Sequence, residues 1–209
     1  MNFFGHATVA SWVSNAPAVV LGAMLPDFAT MIRARPPTAK QPELWRGVRL
    51  HHDTDAVFHD HPVFRELCAD AVAALSELGL ARGPARATAH VGVEIHIDGV
   101  LARDDSARKS YLDALGAAPA LAAKLDWRAA EESARFDELV QALAERGVRP
   151  EHSAPEVVAL RVARALSGRP RLSLAAGDER RVAEWSRTAS AVVADRLPPL
   201  LADLAHHVS

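Results

Sequence analysis

The sequence predicts an all-α protein of about eight to nine helices. Alanine, leucine, arginine and glutamate dominate its 209 residues, β-branched runs are few, and the one tyrosine is Tyr111. The abundant residues lose little on entering a helix, and the Gly, Pro, Ser and Asp residues between apolar stretches supply starts and stops. A chain of this length buries a core without difficulty and is expected to form a single domain.

In order along the chain, Phe4 to Val13 should form a short helix ending at Ser14 and Asn15. A second begins near Ala16 and runs through Pro26 towards Arg33. Pro26 removes a backbone hydrogen bond and should kink or end the helix where Asp27 appears. The loop Arg35 to Gln41, RPPTAKQ, is a break. A third helix covers Pro42 to about His59, and Pro62 suits the first turn of a fourth that ends near Gly79. Gly83 and Pro84 open a fifth, reaching Ala102 or Arg103. Inside it, HVGVEIHID alternates Val91, Val93, Ile95 and Ile97 as a strand would. The helical flanks ARATAH and VLARDD override that signal. Asp105 and Ser106 cap a shorter helix, and Asp126 opens a long one to about Arg146. Ser153 with Glu156 reads as a capping box, and a last long helix covers Asp178 to His206, bent or broken at Pro198 and Pro199. The Gly147 to Ser153 link is the plausible subdomain boundary.

Composition narrows the function. A net charge of −2 and a normal apolar fraction indicate neither disorder nor a nucleic-acid surface, which would show a basic excess. A lone cysteine, Cys68, excludes an internal disulfide and reads as a small core residue. The longest apolar run, Ala16 to Leu25, is about half a bilayer span, and the N-terminus lacks the features of a signal peptide. A cytoplasmic protein with no membrane span is the expectation.

The chemistry concentrates in RLHHDTDAVFHDHP, residues 49–62, where half of the residues are His or Asp. These are the side chains that bind divalent metals and move protons near neutral pH. On a helical wheel His51, Asp55 and His59 share one stripe bordered by Leu44, Val48 and Phe58; Asp53 and Asp60 point to solvent, and His52 sits at the edge. The fifth helix carries a second stripe, His90, Glu94 and Asp98. Its two acids stand one turn apart in an apolar face, so a positive partner should compensate them, either a metal ion or a buried arginine. His6, inside FFGHATVA, and Asp27, after the second helix's proline, add two isolated polar residues in apolar surroundings. Ligands projecting from facing helices into a closed core are how helical metalloenzymes build their sites.

Four segments resemble a family. MNFFGHATVA is similar to the opening of the acyl carrier protein phosphodiesterases, LGAMLPDF to their LLADF element, GVRLHHDTDAVFHDHP to their His- and Asp-bearing segment, and VEIHIDGVLARD to the one that follows. The order and approximate spacing agree from residue 1 to about 105; residues 106–209 read as a helical extension. That family in turn resembles the HD-type metal-dependent phosphohydrolases, all-helical proteins whose ligands are a first His, a His-Asp pair and a distal Asp. The resemblance implies an HD-like core with His6, Asp27, His51 and Asp98 as metal ligands and Asp27, His51 and Asp55 as catalytic residues. His52, His59, His90 and Glu94 form a second tier, and Arg49, Arg103 and the Arg169/Arg171 pair are candidates for phosphate contact. Pro26 stands where an HD enzyme has the histidine of its pair, Gly99 replaces a family histidine, and His59 replaces an aspartate. The implied reaction is phosphodiester hydrolysis with Mn²⁺ or Mg²⁺, or with Zn²⁺ or Fe²⁺ given the histidine content, on acyl carrier protein or another phosphodiester. LGAMLPDF with the following HH is also similar to zinc-dependent phospholipase C over a shorter span. A non-catalytic binding protein built on the same pocket is the alternative of a different class.

Overall fold

The computed structural model describes residues 1–148 and 153–208. Among these the chain forms ten α-helices and one two-residue bridge, so the all-α expectation holds. The helices are α1 (Phe3–Val13), α2 (Pro17–Met31), α3 (Pro42–Asp60), α4 (Pro62–Glu77), α5 (Arg82–Leu101), α6 (Asp105–Ala122), α7 (Ala130–Arg146), α8 (Pro155–Leu166), α9 (Asp178–Arg196) and α10 (Pro198–Val208). The bridge pairs β1 (Thr38–Ala39) with β2 (Leu125–Asp126), antiparallel. HVGVEIHID lies within α5. No helix among the described residues is long and apolar enough to cross a membrane.

Some local expectations hold and others are corrected. As expected, α2 does run on through Pro26, to Met31; one missing N–H in a helix buried along most of its length is tolerated because packing, not propensity, holds it. The helix after Asp104 is 18 residues long, shorter than the 20-residue α5, but its cap is Asp104, which accepts from the Ser106 N–H. Asp126 belongs to the bridge, and α7 starts four residues later. The N-cap of α8 is Ala154, one residue after Ser153, and it makes no side-chain cap bond. The final helix breaks in two at Leu197, as consecutive prolines demand. Of the Gly147 to Ser153 link, residues 149–152 lie outside the described residues.

The chain gathers into two compact units. The first comprises Met1–Val57, Asp104–Val148 and Asp203–Ser209; the second comprises Phe58–Arg103 and Arg149–Ala202. In the first unit α1 packs on α2, and α6 packs on both and on α7. Aromatic side chains join these layers: Phe4 meets Tyr111 edge-on at 5.4 Å, and Phe28 lies 6.3 Å from Phe136. The middle of α1, from Phe4 to Ala10, is buried without interruption, which is why it reads as apolar on every side.

The meeting of α2 and α3 is unusually close. A methyl group on Gly22 would lie 2.2 Å from the Leu44 carbonyl oxygen, and one on Gly47 would lie 2.1 Å from that of Val19. Only hydrogen side chains permit this backbone-to-backbone approach. His51 stands one helical turn beyond Gly47, and Ala23 follows Gly22, so the glycine contact sets the distance between those two residues.

In the second unit α5 packs on α4, α8 and α9. Trp185 of α9 lies over Gly92, where a methyl would fall 2.7 Å from the indole, and meets the His96 ring edge-on at 5.4 Å. His96 is buried and hydrogen-bonded through Nε2 to the Ser186 hydroxyl at 3.1 Å.

Candidate metal centre

In the first unit three helices bring His6, Asp27 and His51 together, with one ligand atom of each within 4.8 Å of the others. His6 comes from the fully buried part of α1, Asp27 from the turn after Pro26 in α2, and His51 from α3 just beyond the glycine contact. The two imidazoles stack, ring centres 3.8 Å apart and 28° from parallel. Asp55, one turn after His51, places one carboxylate oxygen 3.2 Å from His6 Nε2 and the other 3.6 Å from His51 Nε2. The amino group of Met1 is 2.9 Å from the same carboxylate.

The protonation of His51 follows from its neighbours. Its Nδ1 lies 2.9 Å from the Ala23 carbonyl oxygen, which can only accept, so Nδ1 carries the proton and Nε2 presents a lone pair. Burial, reinforced by the nearby His6 ring, pushes the imidazole down from 6.5 to about 3, against the opposing pull of Asp55. A neutral imidazole fixed by a backbone carbonyl at one nitrogen and open at the other is the form in which histidine binds metals. Two buried imidazoles and two carboxylates suit a divalent first-row ion.

The second unit holds another group. Glu94 Oε1 lies 3.2 Å from His90 Nε2 and 3.9 Å from His59 Nε2, and the ligand atoms of the three residues all fall within 4.8 Å. Burial disfavours ionisation of Glu94, but opposing influences, first among them the hydrogen bond with His90, hold the carboxyl below its usual range. Asp98 also lies in this unit, and its carboxylate is 3.6 Å from Arg161. Arg161, from α8, is a positive group beside Asp98 of the kind anticipated from the sequence.

The remaining candidates are more dispersed. His52, Asp53 and Asp60 are exposed. Arg49 lines a cavity of about 450 Å³ in the first unit with Trp45, Arg46 and Asp53. It is two residues, about 200° of helix, away from His51, so it stands off the ligand stripe. Arg103, Arg169 and Arg171 are exposed. Cys68 is partly buried, and its thiol is pushed up to about 12 by burial and by Glu94, which fits a packing role. Sequence reasoning missed Gly22, Gly47 and Ala23, which set the position and tautomer of His51; the motif-like pair of small residues on two successive helices was the available signal. Comparison of the chain with protein-family models, with curated proteins and with solved structures finds no match.

Proposed function

We propose that the protein is a metal-dependent phosphodiester hydrolase whose centre is His6, Asp27, His51 and Asp55. The observation that carries this reading is the convergence of His6, Asp27 and His51, from three helices, onto one small volume with His51 held in its ligating tautomer. Taking two imidazoles out of water costs the fold, which favours a functional reason for gathering them. Resemblance of the first 105 residues to the acyl carrier protein phosphodiesterases supplies the reaction class and makes acyl carrier protein, or another phosphodiester, the substrate to test. Mn²⁺ or Mg²⁺ is the ion that resemblance favours; the two imidazoles also suit Zn²⁺ or Fe²⁺.

In this reading His6, Asp27 and His51 hold the ion, which supplies Lewis acidity to a phosphoryl oxygen and lowers the pKa of water. Asp55 bridges the space beside both imidazoles and orients the attacking water by accepting its proton. The Ala23 carbonyl keeps the lone pair of His51 aimed into the site. A reducing, cytoplasmic setting suits the single thiol.

The test is turnover of bis-p-nitrophenyl phosphate by purified protein after chelation and reloading with Mn²⁺, Mg²⁺, Zn²⁺ or Fe²⁺. A metal equivalent bound by the first unit together with activity, both lost in Asp27→Ala and activity alone lost in Asp55→Asn, supports the enzyme. Retained metal without turnover of any phosphoester would instead mark a non-catalytic binding protein. No metal at all would remove the basis of both.

A further inference from the structure

The second unit has a polar cluster that the proposed centre does not use. His90 and Glu94 are one turn apart on α5, and His59 reaches the same carboxylate from the end of α3, its ring stacked on that of His90 with centres 5.1 Å apart. Both histidines turn Nε2, not Nδ1, towards Glu94 Oε1. Ligands of a tetrahedral ion with bonds near 2.0 to 2.1 Å stand roughly 3.3 to 3.4 Å apart. The His90–Glu94 distance of 3.2 Å already matches, and His59, at 3.9 Å, needs to close by about half an ångström, within side-chain freedom.

Burial is graded across the cluster. The Glu94 side chain is 10% exposed, that of His59 34% and that of His90 50%. Three protein ligands with one side towards solvent are the pattern of a site that keeps an exchangeable position, not of a closed structural one. His90 also lines a cavity of about 560 Å³ with Arg82, Arg86 and Arg169. The cavity's lining includes no acidic residue. Of His59, His90 and Glu94 only His90 lines it, and the cavity's guanidinium groups suit a ligand carrying an oxyanion, which they bind in bidentate fashion.

We infer that His59, His90 and Glu94 form a second divalent-metal site, of the Zn²⁺ type, whose open position takes an oxyanion steadied by Arg82, Arg86 and Arg169. The donor set of two imidazoles and one carboxylate is the one Zn²⁺ uses with an exchangeable fourth ligand. The site belongs to the second unit and stands independently of the hydrolase reading of the first.

Titration of chelated protein with Co²⁺, read by visible absorption, and with Zn²⁺, read by calorimetry, tests it. Wild type should bind one equivalent through this site, and His90→Ala and Glu94→Gln should each lose that equivalent while Asp27→Asn keeps it. His90 is half exposed, so His90→Ala should keep its circular dichroism spectrum and give a clean answer even if Glu94→Gln unfolds. Inorganic phosphate added to the Co²⁺ form should shift the absorption bands in wild type, and the shift should weaken at least tenfold in phosphate affinity in a variant with Arg82, Arg86 and Arg169 changed to Ala. If wild type and folded His90→Ala bind metal identically, the site is refuted and the histidines serve only to neutralise Glu94. If phosphate leaves the Co²⁺ spectrum unchanged, the oxyanion assignment is overturned.

Discussion

His51 Nδ1 and the carbonyl oxygen of Ala23 are 2.9 Å apart, and this contact between two helices decides which nitrogen of the ring faces the candidate metal centre. The carbonyl can only accept a proton, so the lone pair is left on Nε2, the nitrogen 3.6 Å from Asp55. Replacing the ring by one with no nitrogens separates its packing from its chemistry. His51→Phe should keep the stacking with His6 and abolish metal binding by the first unit, while the chelated protein loses about 1 kcal/mol of unfolding free energy for the missing hydrogen bond. Equilibrium dialysis and urea denaturation read the two effects; full metal occupancy in His51→Phe would remove His51 from the ligand set.

Gly47→Ala should damage the site without touching a ligand. Its methyl would meet the Val19 carbonyl oxygen at 2.1 Å, so α3 must move away from α2 and take His51 with it. A loss of about 3 kcal/mol or more is expected from urea denaturation, together with weaker metal binding. The exposed control Gly116→Ala, which meets nothing within 4 Å, should be neutral or slightly stabilising because it sits inside α6. Equal stability of the two variants would mean that the glycine contact is not close in solution.

Stability should fall as the solution is made acidic. Burial, assisted by Arg161, pushes His96 down from 6.5 to about 4, and burial lowers His51 to about 3. Between those values and 6.5 the unfolded chain binds protons that the folded chain does not. The stabilising contribution is therefore complete above about pH 6.5 and is lost as the pH drops towards 4. For His96 the full loss is on the order of 3 kcal/mol. Chelated wild type and His96→Asn, compared by urea denaturation from pH 7.5 to 4.5, should differ in slope, the variant being flatter. Parallel curves would show that His96 titrates normally.

Cys68 should resist alkylation. With its thiol near 12, the thiolate fraction at pH 8 is about one in ten thousand. Native protein should react with iodoacetamide at least tenfold more slowly than protein in urea, followed by mass spectrometry. Equal rates would contradict the burial of the thiol beside Glu94.

The helical class and most helix starts were legible because they depend on local signals: composition, prolines 42 and 62 in first turns, and the strand-like alternation outweighed by its flanks. The stripe of His51 and Asp55 was equally local, since a turn of helix fixes it. Which residues would join that stripe was not local. His6 and Asp27 fall beside it because α1, α2 and α3 meet, and the closeness of that meeting depends on Gly22 and Gly47, which carry no chemistry of their own. Asp98 illustrates the opposite limit: the wheel correctly made it a buried acid, but the partner beside it, Arg161, comes from a helix sixty residues further on.

The interleaving of the two units has a consequence for how the protein is made. The chain changes unit at residues 57/58, 103/104, 148/149 and 202/203, so neither unit is a contiguous stretch. His6, Asp27, His51 and Asp55 are all translated within the first 55 residues, but α6, against which α1 and α2 pack, begins only at Asp105. At synthesis rates of about 5 to 20 residues per second, the polar set emerges from the ribosome several seconds before its supporting helix. During that interval the nascent chain carries these imidazoles and carboxylates on apolar helices that still lack the α6 surface against which they pack.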